Sequence, residues 1–192
     1  MPARLSPVIA ATAQWLTRSF PAPGGALSTA LCEIQARQAV TVAARLRHPT
    51  PVDAELVGLA GPGGTTRLDG VTGAEGLGSE PWRSWVDEVV ASWAACLLSD
   101  AGLAARAVPA LPPGSGAYHR LRFPDPTDSR AAALLRHPDM VSSVARRHEQ
   151  SPPARLGHGS TPWDTDPRRR HDRPSCRAAA MDTLGAPDRH CP

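Results

Sequence analysis

Between Ala26 and Arg47 the chain runs 22 residues without a proline or a glycine, and alanine, leucine, glutamine and arginine fill most of that length. These side chains lose little freedom in a helix, so the stretch predicts one long α-helix. A second pattern competes inside it. Val40, Val42, Ala44 and Leu46 alternate as on one face of a strand. With a turn at His48–Pro51 and the apolar run Val52–Leu59, a β-hairpin over 38–60 is the rival reading.

On the N-terminal side, Leu5, Val8, Ile9, Leu16 and Phe20, with Thr12 between them, recur at the spacing of one helical face. Pro21, Pro23, Gly24 and Gly25 end that helix. Residues 58–80 are glycine-rich and follow neither period, which predicts a surface loop. The most regular element comes next. Ser79 offers a cap, Pro81 suits a first turn, and Trp82, Trp85, Val86, Val89, Trp93, Cys96 and Leu97 share helical spacing up to a stop at Gly102. Three tryptophans on one stripe predict a core-facing helix, with a partner-binding face as the alternative.

Beyond Val108 prolines multiply and apolar runs shorten. Tyr118–Phe123 alternates as a half-buried strand would, and 129–150 reads as two short helices split at Pro138. From Ser151 onward prolines, arginines and small polar residues dominate, too little apolar surface to offset the entropy of ordering. The expected fold is therefore mainly α, a small helical domain with a disordered Pro/Arg-rich C-terminal tail. The alternative is α+β, with a hairpin at 38–60 and a strand at 118–123. The expected division is a domain over 1–107, a partly ordered linker over 108–150 and a basic tail over 151–192.

There is no lysine and no asparagine, and only one tyrosine, two phenylalanines and two isoleucines. All are residue types with AT-rich codons, so the bias fits a GC-rich coding sequence and supplies some of the arginine. The formal charge is +3, and it is uneven. Residues 1–105 hold seven arginines against nine acids, whereas 106–192 hold fourteen against nine. Attraction for a polyanion belongs to the C-terminal part. No apolar run approaches the roughly 18 residues of a membrane span. Cytoplasm is the expected compartment. The acid-free first 20 residues, with Arg4 and Arg18 on one amphipathic stretch, leave organelle targeting as an alternative.

Few constellations suggest chemistry. Gly58, Gly63, Gly64 and Thr65 echo a phosphate-binding loop, but Gly64 stands where the lysine belongs. His171, Cys176, His190 and Cys191 lack the paired spacing of a zinc site, so no metal and no cofactor are expected. Cys32 and Cys96 sit in apolar helical runs, where a thiol behaves as a small hydrophobe. Asp87 and Glu88 read as solvated acids on the outer side of the tryptophan helix.

One segment of about 16 residues, Val141–His148 followed by Glu149–Ser151 and Pro152–Leu156, resembles the middle of the helix-turn-helix found in transposase and regulator DNA-binding domains. The resemblance implies a second helix in the major groove, with Arg155 at a base edge and Arg146 and Arg147 on phosphates. The sequence departs from that pattern at Glu149, which replaces the turn glycine, at Pro152 and Pro153, and at Gly157 and Gly159, which stop the second helix after about a turn. A solvated amphipathic helix is the first reading.

The expected function is a non-enzymatic interaction protein whose basic tail contacts an acidic partner or nucleic acid. Candidate contacts are Arg146, Arg147, Arg155, Arg168, Arg169, Arg170 and Arg173. The alternatives are a small enzyme whose glycine-rich loop binds an anion, and a partly spurious or frame-shifted GC-rich reading frame without a selected function.

Overall fold

The structure, a computed structural model, describes residues 3–73, 78–112, 118–150, Pro152 and Leu156. The chain divides into a compact unit, Met1–Gly159, and a second unit, Ser160–Pro192. The first unit is helical, with no strand among the described residues. Its helices are α1 (Ser6–Ser19), α2 (Ala26–Arg47), α3 (Pro51–Ala60), α4 (Thr66–Thr72), α5 (Glu88–Ser99), α6 (Ala101–Ala107), α7 (His119–Arg122), α8 (Pro126–Ala131), α9 (Ala133–Arg136) and α10 (Pro138–Ala145). Short 3-10 turns at Ala3–Leu5, Pro81–Trp85 and Val108–Ala110 connect them.

α2 is the central post. It packs against α1, α5, α7 and α8, and every residue from Ala39 to Ala44 is buried. That enclosure explains the strand-like alternation at Val40, Val42, Ala44 and Leu46, because the intervening Thr41 and Ala43 are buried as well. A helix covered on all sides shows no single apolar face, so its period is hidden. The hairpin over 38–60 is thus replaced by helix on both sides of the turn. Thr50 accepts from the N–H of Asp53, and Asp53 accepts from the N–H of Thr50, so this capping box starts α3 where a second strand was the rival.

α1 buries Val8, Ile9, Thr12, Trp15 and Leu16. Trp15 is fully enclosed, which removes enough surface to favour folding by on the order of 5 kcal/mol before entropy is counted. The glycine-rich region is only partly a loop. α3 extends to Ala60, and α4 forms within it, ending at Gly73, whose φ of +67° is the left-handed conformation that closes a helix cheaply only at glycine.

The single tryptophan helix over 79–102 is broken twice. Trp82 and Trp85 belong to the 3-10 turn Pro81–Trp85, half-buried against the core, while Trp93 is buried on α5. The first break falls at Asp87, whose carboxylate accepts from Val90 N–H and whose own N–H donates to Thr12 Oγ1. The second is at Asp100, which caps α6 through Leu103 N–H and turns the chain by 117°. Gly102 lies inside α6 rather than ending a helix. No single helix among the described residues is long and apolar enough to cross a membrane.

Residues 118–123 form α7, not a strand. Leu121 alone is buried in it, and Leu121 N–H donates to Gln38 Oε1, a bond that ties the turn to α2 rather than to a neighbouring strand. The two helices expected over 129–150 are three, since α8 begins at Pro126 with an Asp125/Asp128 capping box. α8 packs on α2, and α9 and α10 pack on α5, all within the first unit.

Candidate functional site

The polar side chains of the helical unit gather in three internal networks and two surface features. In the first network Trp15 Nε1 donates to Asp69 Oδ1 at 2.9 Å, and Arg83 donates to Asp69 and to Thr65 Oγ1. Asp69 and Arg83 are 8% and 9% exposed, so the pair is shielded from solvent screening. Burial alone would raise the Asp69 carboxyl. The hydrogen bonds from Trp15, Thr65 and Arg83 and the Arg83 charge outweigh it, holding the group below the usual carboxylate range.

This network also places the glycine loop. Gly64 N–H donates to Val86 O, and with φ at +82° Gly64 lies over the backbone of Arg83 and Ser84. Gly58 is inside α3 against the Arg4 side chain. Gly64 therefore meets the backbone of an arginine that Asp69 neutralises.

The second network surrounds the α5 N-terminus, at two acids expected to be solvated. Glu88 takes Arg67 Nε at 2.9 Å, Arg147 Nε at 2.7 Å and His148 Nε2 at 3.2 Å. It occupies the first turn of α5, where the helix dipole also favours a negative charge. Burial pushes its carboxyl up, but the bonds from Arg147 and His148 and the charges of Arg147 and Arg67 bring it below the usual range. Asp87 is similarly lowered: burial opposes, and the nearby His48 ring and the Val90 N–H prevail. His48 Nε2 lies 3.7 Å from Asp87 Oδ2. Solvation is the wrong account of both acids. The signal for Asp87 was present in the sequence, an aspartate three residues before Val90 at the head of an apolar run.

The third network is organised by Arg136. Its guanidinium donates to Gln35 Oε1, to Leu98 O at 3.1 Å and to Arg120 O at 3.0 Å, joining α2, α5 and α7. Gln35 Nε2 in turn donates to Asp128 O, and Asp128 holds Arg120. Nothing local in the sequence marks Arg136 for this position.

On the surface, α7 sets His119, Arg122 and Phe123 side by side. Phe123 is 54% exposed, its ring 5.6 Å from the His119 ring and 4.8 Å from the Arg122 guanidinium carbon. As a strand, His119 and Arg122 would point to opposite faces; as a helix they adjoin. The second feature is a groove of about 750 Å³ between α1 and α2. Ala13 and Cys32 floor it, and Arg18, Glu33 and Arg37 rim it. Cys32 and Cys96 are buried, and that burial pushes both thiols up to about 11.

Of the arginines singled out in the sequence, Arg146 is exposed after the end of α10, and Arg147 is engaged with Glu88. Arg155, Arg168, Arg169, Arg170 and Arg173 lie outside the described residues, as do His171, Cys176, His190 and Cys191. Of the second helix in the helix-turn-helix resemblance, Pro152 and Leu156 are described, and Leu156 packs against the core. No group of three or more metal-ligating side chains occurs among the described residues. Comparison with family models, with curated proteins and with solved structures finds no match to this chain.

Proposed function

We propose that this chain is a non-enzymatic interaction protein that uses its arginine-rich C-terminal region to contact polyanions, nucleic acid or an acidic protein surface. The observation that carries the reading is the run from Arg168 to Arg177, five arginines against the single Asp172. The helical unit provides the contrast. Its buried or half-buried acids Asp69, Glu88 and Asp128 are already paired with Arg83, with Arg67 and Arg147, and with Arg120.

Two features of the helical unit support the same reading. Arg146 faces solvent, and Phe123 presents an exposed ring beside Arg122 and His119, a combination suited to stacking an unpaired base near phosphate charges. Cys32 and Cys96 are free thiols, the form that a reducing compartment maintains, and a cytoplasmic location is part of the proposal.

The test is a fluorescence anisotropy titration of single-stranded and duplex oligonucleotides and of an acidic peptide at low salt. The full chain is compared with a chain ended after Gly159. Binding that disappears with residues 160–192 supports the proposal, and equal binding by both chains refutes it.

A further inference from the structure

We infer that the α1/α2 groove is a self-association surface that takes the same face of a second copy of this chain, with Glu33 of each copy opposite Arg37 of the other. Two packed helices leave a trough along their outer seam. This one, at about 750 Å³, has two buried residues in its lining, the small side chains of Ala13 and Cys32. Small floors let a third helix approach closely, within the 8–10 Å that ordinary helix pairs adopt. The rim offers an apolar contact where such a helix would touch it: Ile34, which lines the groove, is 43% exposed on α2.

The charges identify the occupant. Glu33 and Arg37 lie four residues apart and so on one face of α2, both exposed, and neither has an ion-pair partner among the described residues. An acidic helix in the groove would face Glu33 with a like charge, and a basic one would face Arg37 and Arg18. A face that carries both signs in this order is complementary to itself when reversed. In an antiparallel pair of α2 helices related by a two-fold axis, Glu33 meets Arg37 of the other copy, the reciprocal pair forms by symmetry, and Ile34 falls close to the axis. A parallel pair would set like charges against each other. Arg18, the remaining cation of the rim, is held over the Trp82 ring at 5.1 Å. The groove is lined by residues 10–37 alone and shares no residue with Arg168–Arg177, so a variant at one leaves the sequence of the other intact.

Sedimentation velocity on the full chain tests it, over a range of concentrations and at low salt. The expected species has twice the 20.2 kDa of the single chain. Glu33→Arg and Arg37→Glu each return the mass to 20.2 kDa, the combined variant Glu33→Arg/Arg37→Glu restores the doubled mass, and Ile34→Asp abolishes it. All these side chains are exposed, so far-ultraviolet circular dichroism stays unchanged in each variant. A monomeric parent chain overturns the inference. So does a dimer that survives both single reversals, a combined variant that stays monomeric, or dimerisation only after residues 160–192 are removed, which would make that segment the occupant of the groove.

Discussion

Glu88 and Arg147 stand 59 positions apart in the chain and meet at 2.7 Å, fixing the end of α10 to the start of α5. Ser92 Oγ donates to Ala145 O one turn further along the same seam. Glu88→Gln is expected to cost about 1–2 kcal/mol in urea unfolding, the sum of a partly buried ion pair and a lost dipole interaction. A double-mutant cycle with Arg147→Gln measures the shared part. Additive single effects would show that the two side chains do not interact energetically.

Asp69→Asn should be more damaging. It leaves the Arg83 charge buried without its counter-ion and weakens the acceptor for Trp15 Nε1, a loss of about 3–5 kcal/mol for a broken buried pair. Repeating the substitution in a Trp15→Phe background separates the indole bond from the ion pair. A loss under about 1 kcal/mol would place the Arg83–Asp69 pair in the weak class of exposed pairs.

Arg136→Met tests the third network. The substitution keeps the apolar stem but orphans Gln35 Oε1 and the carbonyls of Leu98 and Arg120, each orphaned acceptor costing roughly 1–3 kcal/mol. Thermal unfolding should show the loss, and hydrogen exchange should show it first at Leu121, whose N–H bond to Gln38 depends on the position of α7.

The pH dependence follows from the lowered carboxyls that are shielded from solvent. Asp69, Asp87 and Glu88 titrate in the folded protein below their ordinary values of 3.8, 3.8 and 4.5. Their contribution is complete above those values and is lost as pH falls through the lower folded ones. Stability measured by urea unfolding should therefore decline as pH drops below about 4.5, with the unfolded chain taking up more protons. Glu88→Gln should flatten that slope, and an unaltered slope would remove Glu88 from the account.

How far the fold could be read from the chain depended on whether a helix had an exposed side. α1 is legible because Val8, Ile9 and Leu16 face the core while Arg18 faces water. α2 hides its period at Ala39–Ala44 because no side is exposed there. The tryptophan stripe misled for a different reason. Trp82, Trp85 and Trp93 do all reach the core, but the capping preference of Asp87 prevails over continuous helical spacing and divides them between two elements. Of the candidate interface, the Arg168–Arg177 run and Arg146 were visible as charge. The groove and the His119–Arg122–Phe123 cluster were not, since both depend on helix packing and on α7 forming a helical turn.

The salt dependence of binding distinguishes the C-terminal arginines from the rest of the molecule as the source of the polyanion contact. The full chain is compared with a variant carrying glutamine at Arg168, Arg169, Arg170, Arg173 and Arg177, both titrated with a single-stranded oligonucleotide across a salt series. The slope of log affinity against log salt should shrink by roughly 0.7 for each arginine that neutralises a phosphate, with affinity at low salt falling in step. An unchanged slope and affinity would contradict the claim and return the contact, if any, to Arg146 and the α7 cluster.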